Sequence, residues 1–169
     1  MFRNVKDFSE NWNSEVDSTI KLFNAIPEEK SEIVMNAPGL RSLKAIAWHL
    51  AQTLDAIGGQ LRWGPYLGEN WHEMSPGSML DVIEAYRKGS AAFLADVEKN
   101  WTDTDLGTIE TLWGHQMSRG GVLAEFVIGH QCHHRGQMTI IMRLNEIKVP
   151  GLYGPSYDEW MDMGKTPLE

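Results

Sequence analysis

The sequence predicts an all-α fold, an up-and-down four-helix bundle with long loops and a C-terminal tail packed on the bundle. Three observations predict it. Four segments of about twenty residues repeat apolar side chains at spacings of three and four, the pattern of a helix with one buried face. Turn-forming residues bound each segment, and no internal repeat or low-complexity tract interrupts the series. A chain of 169 residues also suits one core, so residues 1–169 read as a single domain.

The first helix is expected from about Phe8 to Ile26, with Trp12, Val16, Ile20 and Phe23 on one face and Pro27 ending it. Ser42 caps the second, which carries Leu43, Ile46, Leu50, Leu54, Ile57 and Leu61 until Gly64-Pro65. The third opens at Ser78, whose hydroxyl can cap while Asp81 favours the positive helix end, and runs to about Asn100. The fourth begins between Ser118 and Gly121 and ends near Ile147, before Pro150-Gly151; Leu123, Phe126, Val127, Met138, Ile141 and Leu144 form its stripe. Two long connections, GPYLGENWHEMSPG and WTDTDLGTIETLWGHQM, read as loops, the kind that border functional sites. The tail, VPGLYGPSYDEWMDM, holds a short helix near its end.

Composition narrows the function classes. Hydrophobic residues make up 42% and charged residues 22%, the proportions of an ordinary folded domain. Lys6, Asp7 and Glu10 interrupt the stretch a signal peptide would need, and no window resembles a membrane span, because even GVLAEFVIGHQC contains Glu125 and His130. Cys132 is the single cysteine, which excludes an intrachain disulfide and fits a reducing, cytoplasmic compartment. A net charge of −8 with scattered Lys and Arg opposes a nucleic-acid partner.

The chemistry concentrates in HQCHHRGQM, residues 130–138. At about 100° per residue, His130 and His134 lie within about 20° of the centre of the helix-four stripe and are expected to point into the core. Imidazoles one turn apart can share an ion, each nitrogen about 2.0–2.1 Å from it. The plainer alternative is a pair of core histidines hydrogen-bonded to backbone or carboxylate. A third ligand has to come from His49, His72, His115 or His133. His72 and His115 fall in loops, and His133 stands about 80° off the stripe. His49 is the remaining histidine of a long helix, although it sits roughly 110° from the stripe of helix two; its small or polar flank of Ala45, Thr53 and Ala56 leaves room for an ion. With helices two and four taken as parallel, His49 lies about 10 Å along one and the pair roughly 13–20 Å along the other, an offset a modest axial shift would remove.

Other metal chemistries fit less well. A zincin needs glutamate beside its first histidine, where this chain has Gln131. Carboxylate di-iron bundles place Glu-x-x-His pairs on two helices, and none of the four predicted helices carries that pair. Cys132 faces away from His130 and His134, in packing or a subunit contact. Trp63, Trp71, Trp113 and Trp160 read as loop anchors.

Arg41-Ser42-Leu43 leading into Trp48-His49-Leu50, then His130-x-x-His133-His134-Arg135-Gly136-Gln137, and finally Val149-Pro150-Gly151-Leu152-Tyr153-Gly154 resemble the DinB/YfiT-like family over nearly the whole chain. The resemblance implies a four-helix bundle, often a homodimer, in which His49, His130 and His134 coordinate a divalent metal, zinc or nickel. It also implies, for some relatives, enzymes that join low-molecular-weight thiols such as bacillithiol or mycothiol to small electrophiles. A metal-dependent hydrolase and a non-catalytic binding protein remain alternatives. Within the shared motif, Gln137 is expected on the inward face, supporting a ligand or water, or else pairing with a core polar group, and Arg135 is expected to point away.

Overall fold

Asn4 opens the first helix by accepting a hydrogen bond from the Asp7 amide at 2.7 Å, and α1 then spans Val5–Asn24. In the computed structural model residues 2–34 and 39–167 are described. Ser42 caps α2, Leu43–Leu61, accepting from the Ala45 amide at 3.1 Å. Ser78 and Asp81 form a reciprocal capping box at the start of α3, Met79–Asn100. The fourth helix, α4, occupies residues 119–144 in three contiguous stretches: an α turn at Arg119–Val122, a π-helical stretch at Leu123–Gly129, and an α-helical stretch at His130–Leu144. A short α5, Tyr157–Asp162, closes the chain with its own Ser156–Glu159 capping box.

These helices form an all-α four-helix bundle. At one end Ile20 and Phe23 of α1, with Ile26 just beyond it, pack with Leu43 and Ile46 of α2, Met79 and Val82 of α3, and Met138 and Met142 of α4. At the other end Phe8 and Trp12 pack with Leu54, Ile57, Phe93, Val97, Val122 and Leu123. Those groupings fix the directions: α1 and α4 run one way, α2 and α3 the other, so α2 and α4 are antiparallel and not the parallel pair expected from sequence. The cause lies in the connections. Helix α2 stands diagonally from α1, packing on α3 and α4 instead, while residues 62–78 run back along the bundle so that α3 starts beside the start of α2. Asp55 of α2 pins that return by accepting from the amides of Tyr66 and Leu67.

The connection after α3 is not wholly a loop. Ile109–Leu112 (β1) pairs antiparallel with His115–Ser118 (β2), with Ile109 opposite Ser118 and Leu112 opposite His115. Trp113 and Gly114 make the two-residue turn, both at positive φ (49° and 85°), the geometry that matches the twist of paired strands. The signal was legible in the sequence as a Gly-containing pair between short runs. Arg119 ties the hairpin to the start of α4 through two hydrogen bonds to Glu110, and its guanidinium lies 4.6 Å from the Trp101 ring centroid.

The tail packs on the bundle as expected. Glu159 accepts from the Gly151 amide at 2.9 Å and pairs with Lys21 of α1 at 3.0 Å; Val149 donates to Asp158 at 3.0 Å. Among the described residues no helix is long and apolar enough to cross a membrane.

Candidate metal centre

The π-helical stretch of α4 decides which way its histidines face. Each π residue turns the chain through less than the 100° of an α residue, and over seven residues the deficit reaches roughly a quarter turn. The stripe defined by Leu123 and Val127 therefore does not continue through His130 and His134. Below the π stretch the fully covered face is Gln131, Arg135, Met138 and Met142, all buried. His130, His134, Gln137 and Ile141 form an adjacent stripe that looks across a cleft to α2. The expectation that the two histidines point into the core is corrected accordingly: both are half-buried at the wall of an open cleft.

His49 meets them there. Its position to one side of the α2 stripe, awkward for a core residue, is the side that faces α4. The Nε2 atoms of His49 and His130 are 3.0 Å apart, and the His134 ring centroid lies 4.8 Å from that of His49 and 4.5 Å from that of His130. One nitrogen from each ring can be chosen so that all three lie within 4.8 Å of one another. Tetrahedral bonds of 2.0–2.1 Å would separate two ligand nitrogens by about 3.3 Å, so the spacing suits a shared ion. Antiparallel packing of α2 and α4 brings the three rings together across the cleft.

Electrostatics agree with the geometry. Burial, followed by the neighbouring His134 and Arg41 charges, lowers the pKa of His49 to about 4. Burial again, then His134, His49 and His133, lowers that of His130 to about 4. Burial also lowers His134, opposed in part by its hydrogen bond to Gln137. At neutral pH the rings are uncharged and offer lone pairs, which is the form a metal requires. Gln137 Oε1 lies 2.7 Å from His134 Nδ1, so Nδ1 carries the proton and Nε2 is left as the donor atom. The amide of Gln137 in turn donates to His133 Nε2 at 2.9 Å. Gln137 is exposed at the cleft rim, outside the core.

The remaining histidines stand apart from the cluster. His72 is exposed on the Trp71–Glu73 turn, 3.8 Å from the Glu73 carboxylate, and the only Glu-x-x-His of the chain, Glu69 to His72, belongs to this loop. His115 is exposed at the start of β2, and His133 is exposed beside His134.

Arg135 was expected to point away and instead is 1% exposed. The quarter-turn change of phase puts it in the interior. There it donates from Nη1 to the Glu15 carbonyl at 2.9 Å and the Thr19 hydroxyl at 3.2 Å, and from Nη2 to the Glu15 carboxylate and the Tyr153 hydroxyl. Cys132 lies in the same group, its Sγ 2.7 Å from the Tyr153 hydroxyl and 3.3 Å from Arg135 Nη2, so it packs within the chain. This polar knot links α1, α4 and the tail directly behind the histidines. Sequence reading missed it, because the π-helical stretch Leu123–Gly129 sets the phase of Gln131, Arg135, Met138 and Met142.

Beside the triad opens a cavity of about 540 Å³, lined by Gly39, Leu40, Arg41, Ile46, His49, His134, Gln137, Ile140, Ile141 and Leu144. Its size is that of a small-molecule site, mostly apolar with a few polar groups at one wall.

Fold and site together define a helical-bundle protein with a three-histidine centre positioned to hold a metal ion at the wall of a ligand-sized cleft. Comparison with known proteins places that class: the chain belongs to the DinB family, whose model matches residues 1–167. It is 33% identical to the protein YrdA of Bacillus subtilis over 164 residues, covering 97% of this chain and 96% of that one. A DinB-like protein from Bacillus cereus shares 33% identity with a TM-score of 0.80, over 90% of this chain and 100% of that one. The DinB-like YjoA of Bacillus subtilis shares the fold at 14% identity, with a TM-score of 0.63 over 86% of this chain and 96% of that one.

Proposed function

We propose that this chain is a metal-dependent thiol S-transferase, holding zinc or nickel with His49, His130 and His134 and joining a low-molecular-weight thiol of the bacillithiol or mycothiol type to a small electrophile. The observation that carries the reading is three neutral imidazoles converging beside an open, largely apolar cavity that His49 and His134 line. His49, His130 and His134 would hold a divalent ion there, and its positive charge would supply acidification of a nearby thiol. Gln137 holds His134 in the ligating tautomer, and Arg135, anchored to Glu15 of α1, keeps the surrounding turn of α4 fixed. Leu40, Ile46, Ile140 and Leu144 give the electrophile an apolar wall and exclude water from the reacting sulfur.

Hydrolysis at the same centre is less well supported, because among the described residues no carboxylate lines the cavity to serve as general base. The test uses protein purified without an affinity tag. Elemental analysis is expected to find a divalent metal in the wild type and little in His49→Ala or His130→Ala. Thiol consumption with an alkyl halide should then require metal and disappear in both variants. Unchanged metal content in either variant removes that residue from the site, and ester turnover without thiol would replace transfer with hydrolysis.

A further inference from the structure

The cavity has a charge asymmetry that the metal reading does not use. Although the chain carries a net charge of −8, no acidic residue lines this cavity among the described residues, and Arg41 is its one cationic side chain. Arg41 precedes the Ser42 cap of α2 and is exposed, and no described residue forms a hydrogen bond or ion pair with its guanidinium. Elsewhere Arg3 pairs with Asp7, Arg119 with Glu110, Arg135 with Glu15 and Arg143 with Asp158; among the described residues Arg62 and Arg87 also form no ion pair, but neither lines this cavity. In the same cavity lining as Arg41, three apolar side chains stand open to solvent: Leu40 is 46% exposed, Ile140 59% and Leu144 62%.

We infer that the substrate of this site is an amphiphilic carboxylate: its carboxylate is gripped by the Arg41 guanidinium, and its aliphatic body lies on Leu40, Ile140 and Leu144. The inference rests on the proposed site at His49, His130 and His134 only in placing this molecule beside the reacting centre; the grip itself comes from the protein. A guanidinium presents two parallel N–H donors that match a carboxylate, and an unpaired one loses no existing partner when the anion arrives. A cavity with a positive group and no acid also concentrates anions against the repulsion of an acidic surface. The exposed Leu40, Ile140 and Leu144 become covered by the ligand, each buried methylene tightening binding about three- to fourfold. Arg41 is then a specificity residue, selecting acids over their neutral counterparts.

Calorimetric titration with butanoate, hexanoate and octanoate, and with hexanamide as neutral control, tests this on metal-free and zinc-loaded protein. In the metal-free wild type, affinity is expected to rise steadily with chain length, and hexanoate to bind at least tenfold tighter than hexanamide. Arg41→Gln should erase the preference for hexanoate while leaving hexanamide binding unchanged, and Arg41→Lys should restore it only in part. Leu144→Ser should flatten the chain-length series without altering the preference for the acid. Equal hexanoate affinity in wild type and Arg41→Gln would overturn the proposal, as would carboxylate binding seen only in zinc-loaded protein, which would make the ion the anion's partner. A series flat with chain length, accompanied by a dimer in sedimentation that Leu144→Ser dissociates, would overturn it too, giving that wall to a second copy. Failure of the metal reading is distinct: elemental analysis reports it, while the metal-free titrations still decide the role of Arg41.

Discussion

Gln137 shows how a solvent-exposed side chain can govern a histidine positioned to hold a metal ion. Its carbonyl oxygen holds the Nδ1 proton of His134, and without it that ring is free to rotate or to adopt the other tautomer. Gln137→Ala should weaken zinc binding about 10- to 100-fold in competition with a chelator, while the circular dichroism of the helices stays unchanged. The same residue-scale forces set a pH dependence. His49 and His130 titrate near 4 in the fold against an ordinary 6.5, so between these values the unfolded chain binds more protons than the folded one. Stability from these rings is therefore fully present above about pH 6.5 and lost as pH falls toward 4. Urea unfolding of metal-free protein should show a midpoint that drops from pH 7 to pH 5, and His49→Gln with His130→Gln should flatten the drop. A pH-independent difference between the two proteins would contradict the assignment.

At the scale of elements, α4 carries two jobs on adjacent stripes. One stripe, Gln131, Arg135, Met138 and Met142, is packed in the interior; on the other, His130 meets His49, and His134 and Gln137 line the cleft. Arg135 locks the first stripe to α1 and the tail through Glu15, Thr19 and Tyr153. A buried ion pair stabilises little by itself, but removing one partner strands the other charge without water. Arg135→Met is thus expected to cost about 3–5 kcal/mol in chemical denaturation, and adding Glu15→Gln should recover a large part of it. If the double variant is no more stable than the single one, the knot is not an energetic unit. The lengths of the helices and their caps were legible from Ser42 and Ser78, because capping is local chemistry. The facing of Arg135 was not, because a π stretch of seven residues leaves no compositional mark in LAEFVIG and yet changes the phase of everything after it.

For the whole molecule, the centre bridges α2 and α4, elements far apart in sequence, so a metal that binds only the folded arrangement stabilises the entire bundle. Zinc at a free concentration about 100 times its Kd should add about 2.7 kcal/mol. For a chain of this length that corresponds to a rise in Tm of about 5–11 °C, measured by calorimetry. His49→Ala should abolish the rise, and a shift that persists in that variant would place the metal elsewhere. The sequence by itself determined the four helices, the Ser42 and Ser78 caps and three histidines that could cluster, since periodicity, capping and residue chemistry are local properties. Tertiary structure alone decided that α2 and α4 run antiparallel, that His49's off-stripe position faces a cleft, and that Arg41 overlooks the same cavity. Those relations depend on how long connections cross the bundle and on where one helix changes pitch. Both are settled by packing all four helices at once, beyond the reach of any single stretch of chain.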